Sequence, residues 1–164
     1  MSEYKSAFAA RGVILLIKDS VEEIWDDYRQ TAPNAPEACG ILMATIDSDS
    51  SRIWLEKVSV PKKTDQRTRF SFRLKGKSHE RELHKQAKNS KGAIRLIGTW
   101  HTHPENDPKP SQSDISGWMK IKSMNPEFRE FCFIIVGLKT TAVYLSVGQK
   151  LTEMKPIKLT SIHK

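Results

Sequence analysis

Residues 94–104 read Ile94-Arg95-Leu96-Ile97-Gly98-Thr99-Trp100-His101-Thr102-His103-Pro104. The chain continues as Glu105-Asn106-Asp107-Pro108-Lys109-Pro110-Ser111-Gln112-Ser113-Asp114. The apolar run Ile94 to Trp100 predicts a strand, and it leads directly into a pair of histidines. Pro104, Pro108 and Pro110 then exclude regular structure. Ser111 followed by Asp114 three residues on predicts a capped helix start, with the helix reaching about Ser123. A strand, a histidine-bearing end, a loop and a helix therefore follow one another within 30 residues.

The flanks repeat this alternation. Val13 to Ile17 reads as a buried strand. The next helix carries Val21, Ile24, Trp25 and Tyr28 on one face, and Ser20 with Glu23 is expected to form its capping box. Gly40 to Ile46 and Ile53 to Val60 read as strands, the first followed by the turn-rich Asp47 to Ser51. Arg69 to Leu74, with Phe70, Phe72 and Leu74 at period two, is expected to be a fourth strand. Ser78 to Asn89 predicts a polar helix. Phe131 to Val136 and Ala142 to Val147 predict two adjacent strands, and the tail after Gly148 is expected to be loosely ordered. Strands alternating with helices point to an α/β or α+β domain with a mixed sheet.

The 164 residues suffice for one domain with a core. No run approaches the roughly 18 apolar residues of a membrane span, and residues 1–5 lack a signal-peptide pattern. Cys39 and Cys132 cannot build a disulfide scaffold or a four-cysteine zinc site. The expectation is a reduced, cytoplasmic protein. Net charge is +8, from 27 basic and 19 acidic residues. Between Lys62 and Arg95 stand 12 basic and 3 acidic residues, so one block carries the basic character. Such a block can steer nucleic acid or an acidic protein, or be a solvated face.

His101 and His103, two apart at a strand end, point to one side and can converge on a metal ion. By themselves they are weak evidence for a metal, and two satisfied or exposed histidines is the simpler reading. Asp114 is a helix-cap residue that could also be aimed at them, and two histidines with one carboxylate leave an open position, as in catalytic zinc sites. Glu37, in Pro36-Glu37-Ala38-Cys39-Gly40, could serve as a base, or be a solvated loop charge. Cys39 could line the same site as an oxidisable brake, or be a small core residue. His-Glu-x-x-His, Cys-x-x-Cys and Gly-x-Ser-x-Gly are all absent, which removes the common metalloprotease helix, the zinc deaminases and a nucleophile elbow.

In order and spacing, Glu37, His101-Thr102-His103-Pro104 and Ser111-Gln112-Ser113-Asp114 closely resemble the motif of the JAMM (JAB/MPN+) metalloprotease family, E…H-[ST]-H-P-x(6)-S-x-x-D. Glu105 to Pro110 fill the six-residue gap. The resemblance implies a single JAB/MPN+ domain over 1–164 with its core at about 13–147. The implied fold is a mixed, mostly antiparallel sheet flanked by helices, similar to cytidine deaminases. It implies one zinc ion held by His101, His103 and Asp114, with Glu37 as general base and acid and Ser111 assisting the oxyanion. The implied activity is isopeptidase or peptidase cleavage after the C-terminus of a ubiquitin-like tail.

Gly98-Thr99-Trp100 and Cys39-Gly40 are similar to the bacterial branch, above all to the proteases of CBASS anti-phage operons. Those proteases reverse E1/E2-type conjugation made through the C-terminal tail of a CD-NTase. The partners implied are a protein with an extended tail and the operon's E1/E2-like protein. Two alternatives stay open: a peptidase of another ubiquitin-like or sulfur-carrier system, and a non-catalytic module binding nucleic acid through the basic block.

Overall fold

The computed structural model describes residues 3–127 and 130–162. In chain order the elements are β1 (Tyr4–Ala10), β2 (Val13–Lys18), α1 (Asp19–Tyr28), β3 (Cys39–Ile46), β4 (Arg52–Val58), β5 (Gln66–Arg67) and β6 (Phe72–Arg73). They continue as α2 (Ser78–Asn89), β7 (Arg95–Thr102), α3 (Gln112–Ser123), β8 (Glu130–Val136), β9 (Thr141–Val147) and β10 (Lys150–Ile157). Eight strands close a barrel in the order β1-β10-β9-β8-β7-β3-β4-β2, with β2 pairing back onto β1. Among the described residues, only β2–β4 and β7–β8 pair in parallel. The sheet is thus mixed and mostly antiparallel as expected, but it is closed rather than open. Among the described residues, no helix is long and apolar enough to cross a membrane.

The physical reason for closure lies at the two ends of the chain. The tail expected to be loose is β10, whose Met154 is buried and which pairs with both β9 and β1. No strand was expected over Tyr4–Ala10, yet β1 supplies the other side of the seam, with Ala7 and Phe8 buried. Closing the barrel satisfies backbone groups that would otherwise form two open edges.

Two further expectations fail locally. α1 begins at Asp19 behind Lys18, with no side-chain cap, so Ser20 and Glu23 form no capping box. Arg69–Leu74 is not a strand. Only Phe72–Arg73 pairs, with Gln66–Arg67, in a separate two-stranded hairpin, and Phe70 is 75% exposed. With only two paired residues on each side, the period-two pattern has no buried face to pack against.

Continuous apolar strands are buried on both faces. On β8, Cys132, Ile134 and Val136 join the main core around Leu15, Trp25, Leu42 and Trp100. The alternate residues Phe131, Phe133 and Ile135 pack under Trp118 of α3, with Trp118 stacked on Phe133 at 4.9 Å between centroids. β7 lies between β3 and β8, and its register against β3 slips between Leu42 and Met43. This bulge lets Ile97 and Trp100 both enter the main core, while Leu96 faces the α3 side. Gly98 makes it possible: its φ is +149°, and a Cβ there would sit 1.6 Å from the Cys132 carbonyl oxygen. Gly40 is the matching gap on β3, where a Cβ would lie 2.5 Å from Trp100 Nε1 and block the indole's hydrogen bond to the Ser59 carbonyl.

Gly98→Ala is therefore expected to destabilise the protein by about 2–4 kcal/mol, through strain and overpacking against β8. Chemical denaturation checks this, and a midpoint within error of wild type would contradict it.

Candidate metal centre

The bulge sets the parity of β7, so His101 turns toward α3 and away from the main core. Its ring lies 6.3 Å from Trp118 and 4.7 Å from Phe72 of the β5–β6 hairpin, centroid to centroid. His103 follows just beyond the strand end, with its N–H donating to the Val136 carbonyl. The two Nε2 atoms are 3.1 Å apart.

The helix cap brings the third group. Ser111 Oγ accepts from Asp114 N–H at 3.0 Å, and Ser111 N–H donates to Asp114 Oδ2 at 2.8 Å, so the expected capping box is present. Locked this way, the Asp114 carboxylate sits 3.3 Å from His101 Nε2 and 3.2 Å from His103 Nε2. The cap and the aim toward the histidines are the same geometry.

Glu37 arrives from the other side. Thr102, between the two histidines, accepts from Ala38 N–H through Oγ1, and its own N–H donates to the Ala38 carbonyl. Thr102 Oγ1 also donates to Gln30 Oε1. These bonds hold the Glu37 segment against β7. The carboxylate of Glu37 is buried, with Oε1 3.7 Å from His103 Nε2 and Oε2 without a partner. The potential ligand atoms of Glu37, His101 and His103 all lie within 4.8 Å of one another.

Charge explains why these groups tolerate one another. Burial lowers the pKa of His101, against the pull of Asp114. Burial opposes charge on His103 too, but Asp114, Glu37 and Glu105 together lift its pKa above the ordinary imidazole value. Asp114 is held well below the usual carboxylate range, because its bonds to the two histidines outweigh its burial. Glu37 is pushed up to about 8, chiefly by burial, with His103 opposing and Asp114 adding to the shift.

These residues fit a divalent ion on their own geometry. Two imidazole nitrogens and a carboxylate converge at 3.1–3.3 Å from one another. With metal–nitrogen bonds of about 2.0–2.1 Å, the edge of a tetrahedron around zinc is about 3.3 Å. A buried carboxylate oxygen of Glu37 is left over beside them. The cluster borders a cavity of about 270 Å³ lined by Glu37, Phe70, His103, Pro104, Lys109 and Ser111, among others. Ser111 Oγ uses a lone pair for the cap, which leaves its O–H to donate.

Two contributors escaped the sequence reading. Glu105 accepts from His103 Nδ1 at 2.8 Å, which orients the ring with Nε2 toward the cluster. Its place two residues after His103 was the available signal. Phe72 packs at a tilt against the His101 ring, and nothing in its sequence neighbourhood distinguished that contact from a strand pattern. Cys39 is fully buried and its thiol is pushed up to about 12 by burial, so it is a core residue with little thiolate to oxidise. Within the basic block, Lys62 pairs with Glu82 and Arg67 donates to the Glu37 carbonyl, while Arg81, Lys85 and Lys88 of α2 remain exposed.

A metal ion at this cluster competes with a proton for His103, whose pKa Asp114, Glu37 and Glu105 raise against its burial. Affinity is expected to fall as pH drops through the raised pKa of His103, and Glu105→Ala should weaken binding by about tenfold. Competition with a chromogenic chelator measures both effects. A pH-independent affinity, untouched by Glu105→Ala, would contradict the arrangement.

Comparison with known proteins agrees with this geometry. Residues 18–152 match the family described as prokaryotic homologues of the JAB domain. A protein named CD-NTase/cGAS isopeptidase from Pseudomonas aeruginosa is 29% identical over 148 residues, covering 89% of this chain and 92% of that one. A relative of the same name from Escherichia coli is 31% identical over 135 residues, covering 81% and 80%. The solution structure of a Desulfitobacterium hafniense protein shares the fold, with a TM-score of 0.54, 24% identity, and coverage of 84% of this chain and 87% of that one. A motif in sequence, a cluster in space and a family match over most of the chain agree: the chain belongs to the prokaryotic homologues of the JAB domain.

Proposed function

We propose that this protein is a zinc-dependent isopeptidase that cleaves after the C-terminal tail of a CD-NTase joined to a target, and so reverses E1/E2-type conjugation in anti-phage defence in the cytoplasm. The observation that carries this reading is the convergence of His101, His103 and the capped Asp114 beside a buried, separately held Glu37, at the edge of a cavity. The names of the relatives supply the substrate class. Among JAB-like folds we read the barrel as a closed variant of the cytidine-deaminase-like arrangement.

In this reading His101, His103 and Asp114 hold the zinc. A zinc ion there supplies an acidified water and a Lewis-acid contact for the scissile carbonyl. Glu37 takes the proton of the attacking water and later delivers it to the leaving amine, which cannot depart as an anion. Its burial suits both tasks: the raised pKa makes the carboxylate a stronger base and keeps its conjugate acid available as a donor. Ser111 donates its O–H to the carbonyl oxygen as negative charge develops, a contact typically worth about 2.7–4 kcal/mol. The tail lies in the cavity between Phe70 and the Pro104–Lys109 loop, with the hairpin as a wall. The operon's E1/E2-like protein is then the natural source of the conjugate.

Glu37→Gln separates chemistry from metal binding. It is expected to keep its zinc and lose turnover by about 10²–10⁴-fold on a CD-NTase tail amide-linked to a carrier protein. Near-normal cleavage by Glu37→Gln would overturn the assignment of the base.

A further inference from the structure

A second set of buried polar groups is not used by the chemistry above. His79, at the start of α2, faces Asp65 through Nε2 at 2.7 Å and Ser59 Oγ through Nδ1 at 2.6 Å. The Asp65 side chain and Ser59 are fully buried. The order Ser-His-Asp suggests a nucleophile, but no substrate can reach Ser59, and its Oγ already accepts from Ile41 N–H at 2.8 Å.

The bonds close if the imidazole is neutral. Asp65 accepts from Nε2–H, so Nδ1 accepts from the Ser59 hydroxyl, and the hydroxyl accepts from β3. Asp65 also takes Lys62 N–H on Oδ2 at 2.8 Å and Lys75 N–H on Oδ1 at 2.9 Å. Burial works against this carboxylate's charge, yet these N–H donors and His79 hold its pKa below the ordinary value. One carboxylate thus ties both ends of the segment 62–75 to α2 and, through Ser59, to β3.

That segment carries the β5–β6 hairpin, and the hairpin grips the site. Thr68 accepts from Glu37 N–H at 2.7 Å, and Arg67 Nε donates to the Glu37 carbonyl at 2.6 Å. The Arg69 carbonyl accepts from Gln30 Nε2, whose Oε1 accepts from Thr102. Phe72 lies on His101. We infer that the Ser59–His79–Asp65 relay is a latch that fixes the 62–75 segment, and that through it Asp65 and His79 are positioning residues for Glu37. The role in turnover rests on the isopeptidase reading; the mechanical role does not.

Hydrogen exchange tests the latch directly. From Cβ, a glutamine amide nitrogen reaches about as far as His Nε2, while an asparagine amide reaches only as far as Nδ1. His79→Gln therefore keeps the donor to Asp65, and His79→Asn loses it. In His79→Asn and Asp65→Asn, peptides covering Glu37 and residues 66–73 are expected to exchange about tenfold faster or more, with β8 and β9 unchanged. His79→Gln should restore most of the protection. On the amide-linked probe, kcat should fall about tenfold in His79→Asn with KM moving less and zinc content unchanged, and recover in His79→Gln.

Wild-type exchange at Glu37 and the hairpin in His79→Asn would overturn the latch. So would equal loosening in His79→Gln and His79→Asn, or loosening spread evenly over the barrel. If Asp65→Asn does not fold, the two His79 variants decide. Exchange settles the latch even if the wild type cleaves no conjugate, an outcome that would count against the isopeptidase reading alone.

Discussion

The Nε2 atoms of His101 and His103 lie 3.1 Å apart, so their two lone pairs cannot face each other without a cation or a proton between them. Without a cation, a proton must sit there, and Asp114 supports it from 3.2–3.3 Å. Much of the architecture serves this one electrostatic demand. β7 delivers His101 and the turn beyond its end delivers His103, α3 delivers the carboxylate with its first turn already locked by Ser111, and Glu105 turns the His103 ring. An isolated buried charge would be expensive; a preformed set of converging donors makes charge at that point the favourable state.

Holding the donors rigidly depends on packing far from them. The parity that turns His101 toward α3 comes from the bulge at Gly98, which in turn rests on a backbone approach to β8 that no side chain permits. Trp100, the neighbour of His101, is anchored in the opposite direction by its bond to the Ser59 carbonyl across Gly40. Ser59 also meets His79, so the core anchor of β7 and the latch of the 62–75 segment share one residue. The main core and the cluster around His101 therefore lie on two faces of one strand.

The parts readable from sequence were those set by local spacing. His101-Thr102-His103 at a strand end and Ser111 to Asp114 at a helix start follow from strand parity and cap geometry, and both are found in space as expected. The strands Val13 to Ile17, Gly40 to Ile46, Phe131 to Val136 and Ala142 to Val147 carried enough apolar weight to declare themselves. β1 and β10 did not: their seam mixes Lys5, Ser6, Lys150, Glu153 and Pro156 with few buried residues, and its pairing joins residues about 150 apart. The hairpin and its latch were hidden for a related reason. Asp65, His79 and Ser59 look like unremarkable members of a basic segment and its flank, because what gives them meaning is a long-range hydrogen-bond closure. The alternation of Phe70 and Phe72 was true to the pattern but not to the structure, since one ring covers His101 and the other faces the cavity.

The most direct test of the account is the metal content of the purified protein, set beside a His101→Ala, His103→Ala double variant shown by circular dichroism to keep its barrel. A site held by His101, His103 and Asp114 is expected to carry about one zinc per wild-type chain and none in the double variant. A wild-type protein that takes up no metal even after reconstitution with zinc would contradict it, and would leave Ser111 and Asp114 as a helix cap alone.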